Sequence, residues 1–192
     1  PIDGIGELKR RYGVPLLYVD AVSSVGGTPV ATDEWGIDLC LGGSQKCLSS
    51  SPGMAFLSVS DAAWEIVEGV GYVGYDALAP FRTAQRDFYF PYTPHWQGVA
   101  MLDAAAARIL EEGLSACFER HRSAAADCRA RVAEMGLFLF PAPGAVSSPT
   151  VTAVKIPDGV AWPDLDAALR KEGMAVGGSY GPMAGKVFRI GH

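Results

Sequence analysis

Apolar residues recur along the chain with two periods, and the switches between them lay out its elements. Ile5, Leu8 and Tyr12 are helix-spaced across residues 3–12, and Gly13 follows as a stop. Val14 to Val19 is a continuous apolar run closed by Asp20, the pattern of a buried parallel strand that ends in an acid. Open α/β sheets place their ligands at that end of a strand. Residues 21–27 are small and predict a loop that permits close approach. Residues 32–36 read as a turn, residues 37–41 as a second strand and residues 54–59 as a third. Asp61 is expected to cap a short helix over 61–67. From Gly69 to Pro94 the periodicity stops, and the segment is rich in Gly, Pro and aromatics (Tyr72, Tyr75, Phe81, Phe88, Tyr89, Phe90, Tyr92). It is too aromatic for disorder. A loop this long is usually functional or covered by a partner.

Gln97 to Glu112 restores a helical pattern, with Val99, Leu102, Ala106, Ile109 and Leu110 on one face, and a second helix is predicted over 114–135. After Gly136 the texture changes. Residues 137–140, 151–156, 174–176 and 186–190 read as strands, and residues 163–172 as a helix with a proline in its first turn and Gly173 behind it. The expected class is α/β. Residues 1–97 read as a first unit, 98–135 as connecting helices that carry the domain boundary, and 136–192 as a small α+β C-terminal domain.

Composition narrows the function. The 192 residues are 49% hydrophobic, enough for one sizeable core or slightly more. The formal charge of -5 is spread without a basic stripe, which argues against nucleic acid as a partner. No apolar run approaches membrane-spanning length. The basic residues from Arg120 to Arg131 read as a solvated helix face, and His95 and His121 as ordinary surface or core histidines. Cys40, Cys47, Cys117 and Cys128 form no CxxC pair, and no metal-ligand spacing is present. Cys117 and Cys128 would lie ~16 Å apart on one helix, too far to bridge. Reduced thiols and a cytoplasmic location are the expectation. The chain opens inside a helix without an initiator Met and stops on a strand, so it reads as a piece of a larger protein.

The candidate chemistry centres on Lys46, in Gly42-Gly43-Ser44-Gln45-Lys46-Cys47 between an apolar run and a Ser/Pro/Gly-rich turn. On its own it reads as a surface lysine at a strand-to-turn junction. If half-buried, it would be a desolvated amine able to form a Schiff base with a carbonyl compound. Pyridoxal phosphate bound in this way needs an acid on its pyridinium nitrogen. Asp20 sits at a strand end, and Lys46 follows the next strand, so both can reach one edge of the sheet. Spacing alone leaves the pair open.

The segments Tyr18-Val19-Asp20-Ala21-Val22-Ser23-Ser24, Asp33 to Asp38, Gly43-Ser44-Gln45-Lys46 and Pro52-Gly53 resemble the class V, fold-type I PLP-dependent aminotransferases. The branch most resembled is serine/alanine–glyoxylate (serine–pyruvate) aminotransferase. Gln45 to Leu48, Ser148-Pro149-Thr150 with Pro157 to Val160, and Arg189-Ile190-Gly191-His192 also resemble pyridoxamine–pyruvate transaminase. The likeness covers nearly the whole chain. It implies the second half of the large PLP-binding domain followed by most of the small C-terminal domain.

By that resemblance Lys46 is the Schiff-base lysine and proton shuttle, and Asp20 the pyridinium partner. Val22 packs on the ring face, and Gln45 bonds the cofactor phosphate. Thr93 reaches the phosphate of a partner subunit's cofactor in a homodimer with shared sites. Arg189 grips the substrate α-carboxylate, because a guanidinium fork holds a carboxylate bidentately. The family's usual tyrosine three residues before Thr93 is Phe90 here, which has no hydroxyl for the phosphate. Tyr180 stands where the pyridoxamine branch carries a second arginine, which favours an ordinary amino-acid substrate. Gln45 in place of the desulfurases' histidine argues against desulfuration, and Cys47 reads as a packing residue. The expected reaction moves an amino group from serine or alanine to glyoxylate or pyruvate. The alternatives are pyridoxamine–pyruvate transamination and a non-catalytic piece completed by a preceding polypeptide. The family's phosphate-binding Gly/Ser-rich turn and ring-stacking aromatic are not encoded here.

Overall fold

The structure is a computed structural model that describes residues 2–192, with the side chain of Asp3 left aside. The chain forms two units, Pro1–Glu111 and Glu112–His192, and the division falls inside the 98–135 stretch.

The first unit runs α1 (Ile2–Tyr12), β1 (Tyr18–Asp20), β2 (Leu39–Gly43), β3 (Ala55–Val59), α2 (Asp61–Val70), the one-turn α3 (Ala84–Asp87) and α4 (Trp96–Glu112). Its sheet has the order β1-β2-β3. β1 is parallel to β2, with Tyr18 opposite Leu39 and Asp20 opposite Leu41, and β3 is antiparallel to β2. The apolar run that predicted a buried strand forms only a three-residue edge strand, and Tyr18 is 56% exposed. Two constraints shorten it. Val14 is still bonded to the end of α1 through its N–H to the Lys9 carbonyl, and Pro15 has no N–H to give. Ala21, Ile37 and Cys40 form the core, with Val19, Val25 and Trp35 packed on it.

A charged residue closes this core. Asp38 is buried; its Oδ2 accepts the Lys9 ammonium and the Leu17 N–H (2.7 Å), and its Oδ1 accepts the Ser60 hydroxyl (3.0 Å). One carboxylate thus joins α1, the approach to β1, the entry to β2 and the end of β3. Burial pushes the Asp38 carboxyl up, but Lys9 and the Leu17 and Ser60 donors outweigh burial and hold it below its ordinary value. Ser60, and not the expected Asp61, is the N-cap of α2, because its Oγ accepts the Ala63 N–H (3.1 Å).

The aperiodic segment after α2 holds a 3-10 turn at Ala79–Phe81 and α3, which closes on Phe88 in the left-handed conformation. Tyr92 packs on Tyr75 and Phe81, with ring centroids 4.6 and 5.9 Å away. Val73 and Phe88 are each 93% exposed, so the segment presents much of its apolar surface outward.

The second unit contains α5 (Leu114–Glu134), β4 (Val151–Lys155), α6 (Trp162–Lys171) and β5 (Val187–Gly191). β4 and β5 are antiparallel, with Ala153 opposite Arg189. Val132, Val154 and Phe188 form its core. Of two further expected strands, 137–140 appears only as the single bridge Leu139 to Val154, and 174–176 forms no strand, the bridge Gly177 to Arg189 lying just after it. Pro141 cuts the first short, since it cannot extend the pairing. On α5, Arg120 pairs with Glu112 (2.7 Å) and Arg122 with Glu119 on an exposed face. His121 departs from that face: it is buried, and burial pushes its imidazole pKa down. Among the described residues no helix is long and apolar enough to cross a membrane.

Lys9→Met should destabilise the protein by about 3 kcal/mol, because it strands a buried carboxylate. The sign of the pH effect follows from Asp38. Its folded pKa lies below the ordinary 3.8, so its contribution is present above that value and is lost as pH falls through the folded pKa. Removing Lys9 leaves burial less opposed, so acid unfolding should begin at a higher pH. Denaturant titrations across acidic pH check both. An unchanged acid midpoint would show that Lys9 does not set the Asp38 pKa.

Candidate active site

Parallel pairing of β1 and β2 puts the carboxyl ends of both strands at one edge, and the loops that leave them run side by side. Ala21 continues the pairing through its N–H to the Leu41 carbonyl (2.9 Å). The first loop then tightens, with Val25 N–H on the Ala21 carbonyl (3.0 Å) and Thr28 N–H on that of Ser24 (3.0 Å). Gly26 lies so close to the second loop that a Cβ there would meet Leu48 Cδ2 at 2.8 Å. Cys47 Sγ donates to the Ser23 carbonyl (3.5 Å) and adds a second tie.

Within this frame Asp20 is fixed locally. Its Oδ1 accepts the Val22 N–H (3.0 Å), a turn in which an Asp side chain bonds the backbone two residues on. Its carboxylate also reaches Cys40 electrostatically: burial first, and then the charge of Asp20, pushes the Cys40 thiol up. Cys40 therefore stays a thiol in the core.

The loop after β2 hangs from Ser44. This side chain is fully buried; its hydroxyl donates to the Ser51 carbonyl (2.6 Å) and accepts the Met54 N–H (3.3 Å). Its own N–H donates to the Met54 carbonyl (3.0 Å), and its carbonyl accepts the Ser50 N–H (3.0 Å). Between these anchors Lys46 opens a turn, in which its carbonyl accepts the N–H of Ser49 (2.8 Å), a residue at φ 55°. Gly43 completes the arrangement. A Cβ there would lie 3.1 Å from Val22 Cγ1 and 3.1 Å from Gln45 Oε1, so both side chains bracket its bare Cα.

Asp20, Val22, Gln45 and Lys46 are thus gathered on the two adjoining loops. Lys46 and Gln45 are exposed, so within this chain Lys46 takes the surface position that it reads as having on its own. The reason is local: Lys46 tops an open turn, and the buried group in its loop is Ser44. Thr93 is exposed in the aromatic segment before α4, and among the described residues no hydrogen bond or ion pair links it to these four. Arg189 belongs to the other unit, on β5, where its Nε and Nη2 donate to the Gly178 carbonyl (3.1 and 2.6 Å). Sequence reasoning did not single out Ser44, Gly43 or Gly178. A serine inside an apolar strand end and the paired glycines at 42–43 and 177–178 were the available signals.

The residues at the β1–β2 edge suit pyridoxal phosphate. They offer a carboxylate, an amide, an amine and an apolar side chain around a cradle that one added Cβ would fill. The Aminotransferase class-V family matches residues 1–188. The chain belongs to the class-V aminotransferase family.

This class-V aminotransferase chain is 39% identical over its whole length to an uncharacterized aminotransferase of Methanocaldococcus jannaschii, covering 50% of that protein. It is 38% identical to the alanine–glyoxylate aminotransferase of Callithrix jacchus, again over 100% of the chain and 48% of the relative. The crystal structure of pyridoxamine–pyruvate aminotransferase from Mesorhizobium loti superposes with a TM-score of 0.95 at 36% identity, with 100% of this chain and 50% of that one covered. The chain therefore spans about half the length of the curated relatives it matches. Family and fold match the α/β, PLP-dependent aminotransferase expectation.

Ser44→Ala should cost about 1–3 kcal/mol, because it strands the Ser51 carbonyl and weakens the hold on Met54. Hydrogen exchange should rise at Ser49 and Ser50, whose amides close the Lys46 turn. Unchanged exchange there would show that the turn is held by other contacts.

Proposed function

We propose that the protein carrying this chain transfers an amino group from a small amino acid, alanine or serine, to glyoxylate or pyruvate, with pyridoxal phosphate as cofactor. The observation that carries the reading is the gathering of Asp20, Val22, Gln45 and Lys46 on adjoining loops at the β1–β2 edge. When bound, pyridoxal phosphate supplies an electron sink for the negative charge that develops at the substrate α-carbon. Asp20 accepts the pyridinium N–H, with its own orientation fixed by Val22 N–H. Val22 lies against the ring face. Gln45 donates to the phosphate, and Thr93 donates to that of the partner subunit. Lys46 is the lysine that holds the cofactor carbonyl and moves the proton at the α-carbon. A general base of this kind works best with a pKa near the operating pH.

The exposure of Lys46 within this chain supports a further element of the reading. Polypeptide corresponding to the rest of the relatives' length completes the pocket and excludes water. The exposed aromatic segment around Tyr75, Phe88 and Tyr92 is the proposed subunit contact of a homodimer. Arg189 is the proposed carboxylate-binding arginine, and residues 136–192 the proposed small domain. A cytoplasmic location is supported by four cysteines with no disulfide among the described residues.

Alanine with glyoxylate should give transamination, and pyridoxamine with pyruvate little or none; the reverse order would replace this reading with the vitamer-specific reaction. Lys46→Ala should lower kcat by roughly 10²–10⁴-fold. Borohydride treatment of the native protein with cofactor should leave a stable pyridoxyl adduct on the Lys46 peptide. An adduct on another lysine, or none, would overturn the assignment.

A further inference from the structure

Arg189 is held by more than its strand. A guanidinium is planar and rigid, so fixing one edge fixes the plane in which its remaining donors point. The Gly178 carbonyl takes the Nε–Nη2 edge, at 3.1 and 2.6 Å, and among the described residues no side chain takes Nη1. That carbonyl is itself placed from the core. A Cβ on Gly178 would fall 2.9 Å from Trp162 Cε2, so the indole sits directly on the glycine, and Trp162 stacks on the buried Phe188 at 6.2 Å between centroids.

The face of the guanidinium has its own neighbour. Tyr180 lies with its ring centroid 5.6 Å from Arg189 Cζ. Its side chain is 83% exposed, so the ring gains little from burial and its placement needs another cause. The backbone supplies one: Tyr180 is extended, its carbonyl accepts the Met183 N–H (3.2 Å), and the 3-10 turn Gly181–Met183 that follows carries Pro182. We infer that Tyr180 is a positioning residue for Arg189, its ring stacking on the guanidinium so that the Nη1 side of the fork stays presented to a single carboxylate. The phenol is neutral and brings no second cation beside Arg189. That the carboxylate belongs to an amino or 2-oxo acid rests on the transaminase reading; the contact between the two side chains does not.

The test compares Tyr180→Ala with Tyr180→Phe in the native holoenzyme. An exposed cation–π contact corresponds to about two- to fivefold in binding. Tyr180→Ala should raise KM for alanine by that factor while kcat moves less than about twofold. Tyr180→Phe, which keeps the ring, should restore KM. Phenylglyoxal labelling of the Arg189 peptide gives a readout without turnover: faster labelling in Tyr180→Ala, with weaker protection by acetate, and wild-type behaviour in Tyr180→Phe. Unchanged KM and labelling in Tyr180→Ala overturn the inference. So does a Phe variant as impaired as the Ala variant, which would assign the effect to the hydroxyl. If the wild-type protein transaminates no donor, the proposed function fails while the labelling still decides the contact.

Discussion

The parallel register of β1 on β2 is the constraint from which the candidate site follows. With Asp20 opposite Leu41, both strands run toward the same edge, where β1 ends and β2 continues two residues further to Gly43. A slip of one residue would turn the Asp20 side chain to the opposite face. Yet the ladder is only three residues long and lies at the sheet edge. Each of its hydrogen bonds adds about 0.5–1.5 kcal/mol net, which is little to hold a register. The buried Asp38 supplies what the ladder lacks, because it fastens Leu17 just before β1 and Lys9 of α1 to the start of β2. The ion pair thereby helps to hold the register on which the candidate site depends.

Around the edge, the structure separates support from reaction. Ala21, Cys40, Gly43 and Ser44 are buried, while Asp20, Gln45 and Lys46 are exposed. The backbone of both loops is fixed by hydrogen bonds, and the candidate side chains project from it on exposed residues. Such a site is preorganised in its main chain. The same logic recurs at Arg189, whose backbone is in a ladder and whose guanidinium is set by a carbonyl that the core holds in place.

The periodic elements were legible in the sequence. α4, α5 and α6 begin and end within about two residues of their expected limits, because their apolar spacing and flanking Gly and Pro signals agree. Elements defined by long-range pairing were less so. The run before Asp20 is apolar throughout, but its hydrogen bonding depends on a partner 21 residues away and on the end of α1. The Lys9–Asp38 pair spans 29 residues, and its one trace is an acid between Ile37 and Leu39. Strand order left Asp20 and Lys46 open as a pair, and the resemblance of their flanking segments joined them. The exposure of Lys46 was legible, since a lysine at a strand-to-turn junction is ordinarily a surface residue. His121 was misplaced because its neighbours on α5 are charged, and the helix face it occupies is set by packing.

The turn that carries Lys46 also limits how this loop can vary. Ser49 closes it in the left-handed conformation, where most side chains crowd the backbone. Glycine, asparagine and aspartate fit there at little cost, whereas a β-branched residue would force the turn to reopen. A position with no chemistry of its own thus restricts which sequences can present the lysine.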